Sequence, residues 1–227
     1  MKRIICIFLV LLAMALNIYA EEVAFSDVKE SDWYYNSIIA TQRYIKGYPD
    51  GSFRPKENLT REMAAQILYT HEGNGEKYDS YSFDDVKTGA WYADAVEWLY
   101  QNGYTAGVSE DLYGVGQYVT RQDLMCLIYR VYQSEWESYR GGDRKYMTSG
   151  GLEKFKDRNE IADYAQVPML FACRLAFVIT GDNWAMVEVN HQIMVGHNNM
   201  LRPRDYCTRA EASVIFGNVN RLLTYYA

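Results

Sequence analysis

The chain has 227 residues, with 29 acids against 23 Lys and Arg, and a formal charge of −6 at neutral pH. An acidic chain is poorly suited to nucleic acid, whose phosphates need clustered Lys and Arg. Its 21 Tyr and 5 Trp have an apolar face and a polar handle, which serves an aromatic core and sugar stacking equally well.

Lys2 and Arg3 precede a nearly unbroken apolar run from Ile4 to Leu16, and Ile18-Tyr19-Ala20 offers a small residue for cleavage before Glu21. This is the layout of a secretory signal peptide over 1–20. The run is shorter than the roughly 20 apolar residues that a bilayer span needs, and nothing later in the chain is longer. The expectation is a secreted mature chain with no transmembrane segment. Cys126, Cys173 and Cys207 remain in it, an odd number that cannot all pair internally. Cys126 and Cys173 fall in apolar helical patterns, which predicts buried free thiols; a Cys173–Cys207 bridge is the alternative.

Past the leader the chain repeats itself. Phe25-Ser26-Asp27-Val28 and Phe83-Asp84-Asp85-Val86 open alike, and each is followed at the same distance by Trp-Tyr, at Trp33-Tyr34 and Trp91-Tyr92. Each copy then reaches a Gly, an aromatic and a Thr-Arg pair: Gly47, Phe53 and Thr60-Arg61, then Gly107, Tyr113 and Thr120-Arg121. A third copy opens at Phe155-Lys156-Asp157, has Tyr164 near the place of the Trp, and closes with Thr208-Arg209-Ala210-Glu211. It is longer than the others, with the extra residues placed at about 176–192. Such self-similarity sets the architecture.

Within the second copy, Trp91, Ala95, Val96, Trp98 and Leu99 recur at helical spacing and predict a helix ending near Asn102-Gly103. After each Thr a second helix is predicted. Thr120 is followed by Leu124, Leu127, Ile128 and Val131, and Thr208 by Ala212, Ile215, Phe216 and Val219, with Ala64, Ile67 and Leu68 after Thr60. Each Thr is the N-cap, and the acid three residues on, Asp123 or Glu211, can close a capping box; Met63 breaks it in the first copy. Gly47 to Pro55 is dense in turn residues. His71 to Tyr81 and Gln133 to Glu153 read as exposed inter-repeat linkers by composition.

Phe-x-Asp-Val, Trp-Tyr, Gly-Tyr-Pro-Asp-Gly-Ser-Phe-Arg-Pro and Thr-Arg-Ala-Glu, in that order and spacing, resemble the S-layer homology module. The resemblance covers modules at 23–72, 82–134 and 152–223. It implies an all-α fold of three helix-loop-helix modules in a pseudo-threefold arrangement around a central helical bundle, with grooves between neighbours. It also implies non-covalent anchoring at the bacterial cell surface through a secondary cell-wall polysaccharide linked to peptidoglycan, often bearing an anionic, pyruvylated amino sugar. Carried over position by position, the groove residues are Arg61, Arg121 and Arg209, then Asp27, Asp85 and Asp157, then Trp33, Trp91 and Tyr164.

The residue chemistry agrees with that carry-over. An Arg at the first turn of a helix sets a guanidinium beside free N–H groups and a positive dipole end, where a carboxylate can be gripped. The alternative is that each Arg holds a neighbouring module's Asp and does no more. The third copy departs furthest, since it lacks the Trp and carries the insertion. No nucleophile elbow, phosphate loop or CxxC pair is present, and His191 and His197 with Glu188 fit no metal signature. The chain therefore reads as a binding protein without cofactor or metal, not an enzyme, with almost no length left for a fused domain. A protein-interaction scaffold is the other reading, with Trp184, Met186, Val187 and Val189 as its contact surface.

Overall fold

A computed structural model describes residues 25–138, 147–149, 151–173, 175–180, 185–189 and 192–226. The predicted signal peptide, Trp184 and His191 lie outside the described residues. Six α-helices are present among them: α1 Tyr35–Thr41, α2 Arg61–Glu72, α3 Ala93–Gln101, α4 Arg121–Ser138, α5 Gln166–Cys173 and α6 Arg209–Tyr226. None of the described helices is long and apolar enough to cross a membrane.

The second helix of each copy forms where the sequence says. Leu124, Leu127, Ile128 and Val131 of α4 and Ala212, Ile215, Phe216 and Val219 of α6 are all buried, as are Ala64, Ile67 and Leu68 of α2. Capping grades with the residue at the third position. At α6 the box is reciprocal, with Thr208 N and Oγ1 donating to Glu211 Oε2 and Glu211 N donating to Thr208 Oγ1. At α4 the shorter Asp123 takes the Thr120 hydroxyl at 2.6 Å and gives its own N–H back. At α2 only the Met63 N–H to Thr60 Oγ1 contact survives, at 3.4 Å. Helix α3 closes with Gly103 at φ +72, its N–H on Tyr100 O and the Tyr104 N–H on Leu99 O, which ends the helix beside Asn102-Gly103 as predicted.

The opening Phe and the later Gly of each copy are one contact. A Cβ on Gly47 would lie 2.4 Å from the Phe25 ring, on Gly107 2.6 Å from Phe83, and on Gly196 2.4 Å from Phe155. The third copy thus keeps this feature despite its weaker sequence.

The two helices of one copy do not pack on each other. Instead α3 lies on α2, α5 on α4, and α1 on α6. The first helix of each copy covers the second helix of the copy before it, and the first copy covers the third. Backbone bonds follow the same cycle. Leu59 N donates to Cys207 O, Cys207 N to Val119 O, and Val119 N to Leu59 O, at 2.8–2.9 Å. At the far end of the long helices, His71 of α2 meets Tyr132 of α4 at 2.6 Å and Asn220 of α6 at 2.6 Å. His71 is therefore a half-buried tie among three helices and not the start of an exposed linker, which composition could not reveal. The other linker also differs from its reading, since α4 continues to Ser138.

The helical class holds for the core, and a small sheet is added to it. Strands β1 (Met147–Ser149), β2 (Leu175–Thr180) and β3 (Ala185–Val189) pair antiparallel in the order β1-β2-β3. The all-α expectation does not include this sheet. The signal was the β-branched and aromatic run Leu175-Ala176-Phe177-Val178-Ile179-Thr180. Met186, Val187, Glu188 and Val189 lie in β3.

Cys126, Cys173 and Cys207 are buried and free, so the alternative Cys173–Cys207 bridge is not formed. Burial pushes the Cys126 thiol up to about 11 and those of Cys173 and Cys207 up to about 12, from an ordinary 9.0. A thiol reagent at mildly alkaline pH should leave all three unlabelled in the folded chain and label all three in concentrated guanidinium. The linked stability is intact below about 9 and is lost as the pH climbs towards these raised values, because the unfolded chain ionises first. The urea midpoint should accordingly fall as the pH rises above about 9.

Candidate functional site

The site is built around the backbone of one residue in each copy. Asp27 accepts from the N–H groups of Phe53 (2.7 Å) and Arg54 (2.8 Å). Asp85 accepts from Tyr113, Gly114 and Val115, each at 2.8 Å. Asp157 accepts from Leu201 (2.9 Å) and Arg202 (2.6 Å). The carbonyls of Phe53, Tyr113 and Leu201 are in turn held by an Arg from the preceding copy, through Arg209 Nε (2.8 Å), Arg61 Nε (2.9 Å) and Arg121 Nε (2.9 Å). The predicted aspartates and arginines are thus joined through the backbone of the residue between them. Both oxygens of each aspartate are occupied by its own loop. Burial opposes ionisation of Asp85, yet the three N–H groups outweigh it and hold the carboxyl below its ordinary 3.8.

The arginines differ in what their remaining nitrogens do. Arg209 is 5% exposed, its Nη2 donates to Lys46 O at 2.7 Å, and its guanidinium carbon lies 5.0 Å from the Tyr48 ring centroid and 4.6 Å from that of Phe53. Burial presses its pKa down, opposed by nearby Tyr48 and Glu57. Arg121, 4% exposed, instead donates from Nη1 to Glu211 Oε1 at 2.9 Å, and Arg202 shares that oxygen at 3.1 Å. Arg61 is partly buried, with its guanidinium carbon 5.0 Å from the Tyr113 ring centroid.

The aromatic residues stand in equivalent places. Trp33, Trp91 and Tyr164 each lie two residues before a first helix, and their exposures of 69%, 59% and 59% set them apart from a core dense in buried rings. Trp91 and Arg209 line one cavity of about 500 Å³, with the Tyr44–Tyr48 loop and Met63, Gln66 and Ile67 of α2. Trp33 and Arg121 line another of about 630 Å³, with the Ile193–His197 loop and Glu211, Val214 and Ile215 of α6. By the repeat these walls correspond, Met63 to Glu211, Gln66 to Val214 and Gly47 to Gly196. Each cavity thus takes an Arg from one copy, a loop and helix from the next and a Trp from the one after. At the third such place Tyr164 Oη donates to Asp123 Oδ1 at 2.7 Å and takes a bond from Gln122, so the ring is tied across to α4. Burial and the Asp123 contact push the Tyr164 hydroxyl up to about 12.

The structure therefore brings Arg209 to Trp91 and Arg121 to Trp33, pairs that lie far apart in sequence. The alternative reading, a direct Arg–Asp pair, is not realised: Arg and Asp meet through a backbone bridge, and Arg121 pairs with Glu211 instead. Sequence reasoning missed Tyr48 and Arg202 as groove neighbours, although Tyr48 sits inside the specific nine-residue loop.

A family model of the S-layer homology domain matches residues 24–65 and 82–125. The chain is 27% identical over 88% of its length to "Exoglucanase XynX" of Acetivibrio thermocellus, covering 16% of that protein. It is 28% identical over 76% of its length to "Surface-layer 125 kDa protein" of Lysinibacillus sphaericus, covering 12% of it. It is 27% identical over 45% of its length to "Cellulosome-anchoring protein" of Acetivibrio thermocellus, covering 24%. In each case this chain spans a minor part of the relative.

Because Asp85 holds three loop N–H groups, Asp85→Asn should lower stability in urea denaturation at neutral pH. The loss should be about 1–2 kcal/mol, towards the low end for a carboxylate that solvent still reaches. The folded pKa is depressed, so this contribution is present above the unfolded value and fades as the pH falls through the lowered one. The gap between wild type and variant should close in acid.

Proposed function

We propose that this chain, which matches the S-layer homology domain over residues 24–65 and 82–125, anchors non-covalently at the bacterial cell surface by binding a secondary cell-wall polymer in its inter-module grooves. The observation that carries the reading is the pairing, in two separate cavities, of a buried arginine with a largely exposed tryptophan. The guanidinium offers donors and positive charge to an acidic group, and the indole offers a sugar ring an apolar face. Cavities of this size suit one or a few sugar rings.

On this reading 152–223 is a third module with an insertion at about 176–192, and the three are disposed in pseudo-threefold fashion about α2, α4 and α6. The cyclic backbone bonds and the cyclic packing of first helices on second helices support it. The polymer is anionic, with a pyruvylated amino sugar as the expected anionic unit, and the chain reaches the wall by secretion after loss of 1–20. Asp27, Asp85 and Asp157 act by fixing the loops and arginines, while Arg121, Arg209, Trp33 and Trp91 touch the ligand. Arg61 and Tyr164 belong to the third groove.

Purified sacculi of the producing organism, intact or stripped of polymer by acid extraction, test the reading. The chain should be retained on intact walls and lost from stripped ones. Trp33→Ala with Trp91→Ala, both at exposed positions, should abolish retention with an unchanged circular dichroism spectrum. Equal retention on both walls points instead to a protein partner, and no retention sinks the proposal.

A further inference from the structure

We infer that the grooves are unequal, and that the residue three positions after each capping threonine decides which one takes a carboxylate-bearing sugar: the Arg209–Trp91 groove, where that residue is Met63, is the anion site. The inference rests on the reading of the grooves as polymer sites.

Among the described residues no carboxylate lies within ion-pair distance of Arg209. Its bonds go to the carbonyls of Phe53 and Lys46, which orient the guanidinium without neutralising it. The nearest acids are engaged elsewhere, Glu57 by the Tyr48 hydroxyl at 2.9 Å and Asp27 by its loop. A buried cation on the wall of an open cavity, with dipoles and aromatic faces but no counter-ion, favours an anion that enters.

The position of Met63 is acidic in the other two copies, and in each the acid removes this opportunity. Glu211 already pairs with Arg121, so an entering carboxylate must displace it or sit beside it. Asp123 is bonded to Tyr164 across the third groove, and Tyr164 occupies the place of the tryptophan. A ligand there must first break that latch. The lost capping acid at α2 thus has a counterpart in ligand chemistry: what weakens the helix start frees the arginine that faces it.

The test uses soluble polymer fragments released from sacculi, titrated calorimetrically against the full chain, with carboxyl-reduced fragments as the neutral counterpart. Met63→Glu installs the missing charge and Met63→Gln its neutral isostere. Met63→Glu should weaken binding roughly tenfold, the scale of one close and partly screened charge contact. Met63→Gln should change it less than about twofold, and the difference should shrink with added salt and vanish for reduced fragments. Glu211→Gln, which keeps the capping bonds, should strengthen binding at the Arg121 groove and raise the measured stoichiometry. Binding that is equal in Met63→Glu and Met63→Gln overturns the inference. If the wild type binds no fragments, the polymer reading fails, and glucuronate against glucose, followed by tryptophan fluorescence, decides the inference alone. A glucuronate response lost in Met63→Glu sustains it, and no response, or one that survives, overturns it.

Discussion

The structure depends on one residue per copy whose backbone is gripped from both sides. At Phe53, Tyr113 and Leu201 the N–H is held by an aspartate of the same copy and the C=O by an arginine of the copy before. Each half of this grip is charge-assisted, which makes it stronger and shorter than a bond between neutral groups. Because the arginine is the first residue of a long helix, fixing its guanidinium also fixes where that helix starts. The short step from Phe53 to Thr60, from Tyr113 to Thr120 and from Leu201 to Thr208, the same in all three copies, is therefore a length that must close in three dimensions.

That grip divides the arginine in two. Nε is committed to the neighbour's carbonyl in all three copies, while the outer nitrogens are left to local circumstance: a second carbonyl at Arg209, a glutamate at Arg121 and the Tyr113 ring at Arg61. A residue so placed is costly to bury and cannot be exchanged for lysine, which lacks the planar fork. The scaffold needs the inner donor, so the outer face is presented to the groove whether or not a ligand is there. Structural and binding roles are thus carried by different atoms of one side chain.

Much of this was legible in sequence. Helical spacing of apolar residues located the second helices and most of their buried faces, and the capping threonines marked their starts, because both signals are local. The residue types of the site were legible too, through Thr-Arg and Trp-Tyr. What could not be read was partnership. Nothing local says that Trp91 shares a cavity with Arg209, or that α3 covers α2 rather than its own module's α4. His71 looked like the beginning of a polar linker because its neighbours are Gly and charged residues, whereas its ring is claimed by Tyr132 and Asn220 from two other helices. The strand β2 was legible in principle from its β-branched run, but it was overshadowed by the helical periodicity around it.

The hydrogen bonds linking Leu59, Val119 and Cys207 return to their starting point, and that closure separates this fold from an open solenoid. A linear array ends in terminal units that need polar caps, and it can be shortened by one repeat with the loss of a single seam. Here each copy packs against both others, so deleting any one exposes two seams and strands the helix that had been lying on its partner. The three copies should melt as one cooperative unit and should not survive as fragments. The same closure means that joining the natural ends and reopening the chain between modules would leave every seam in place.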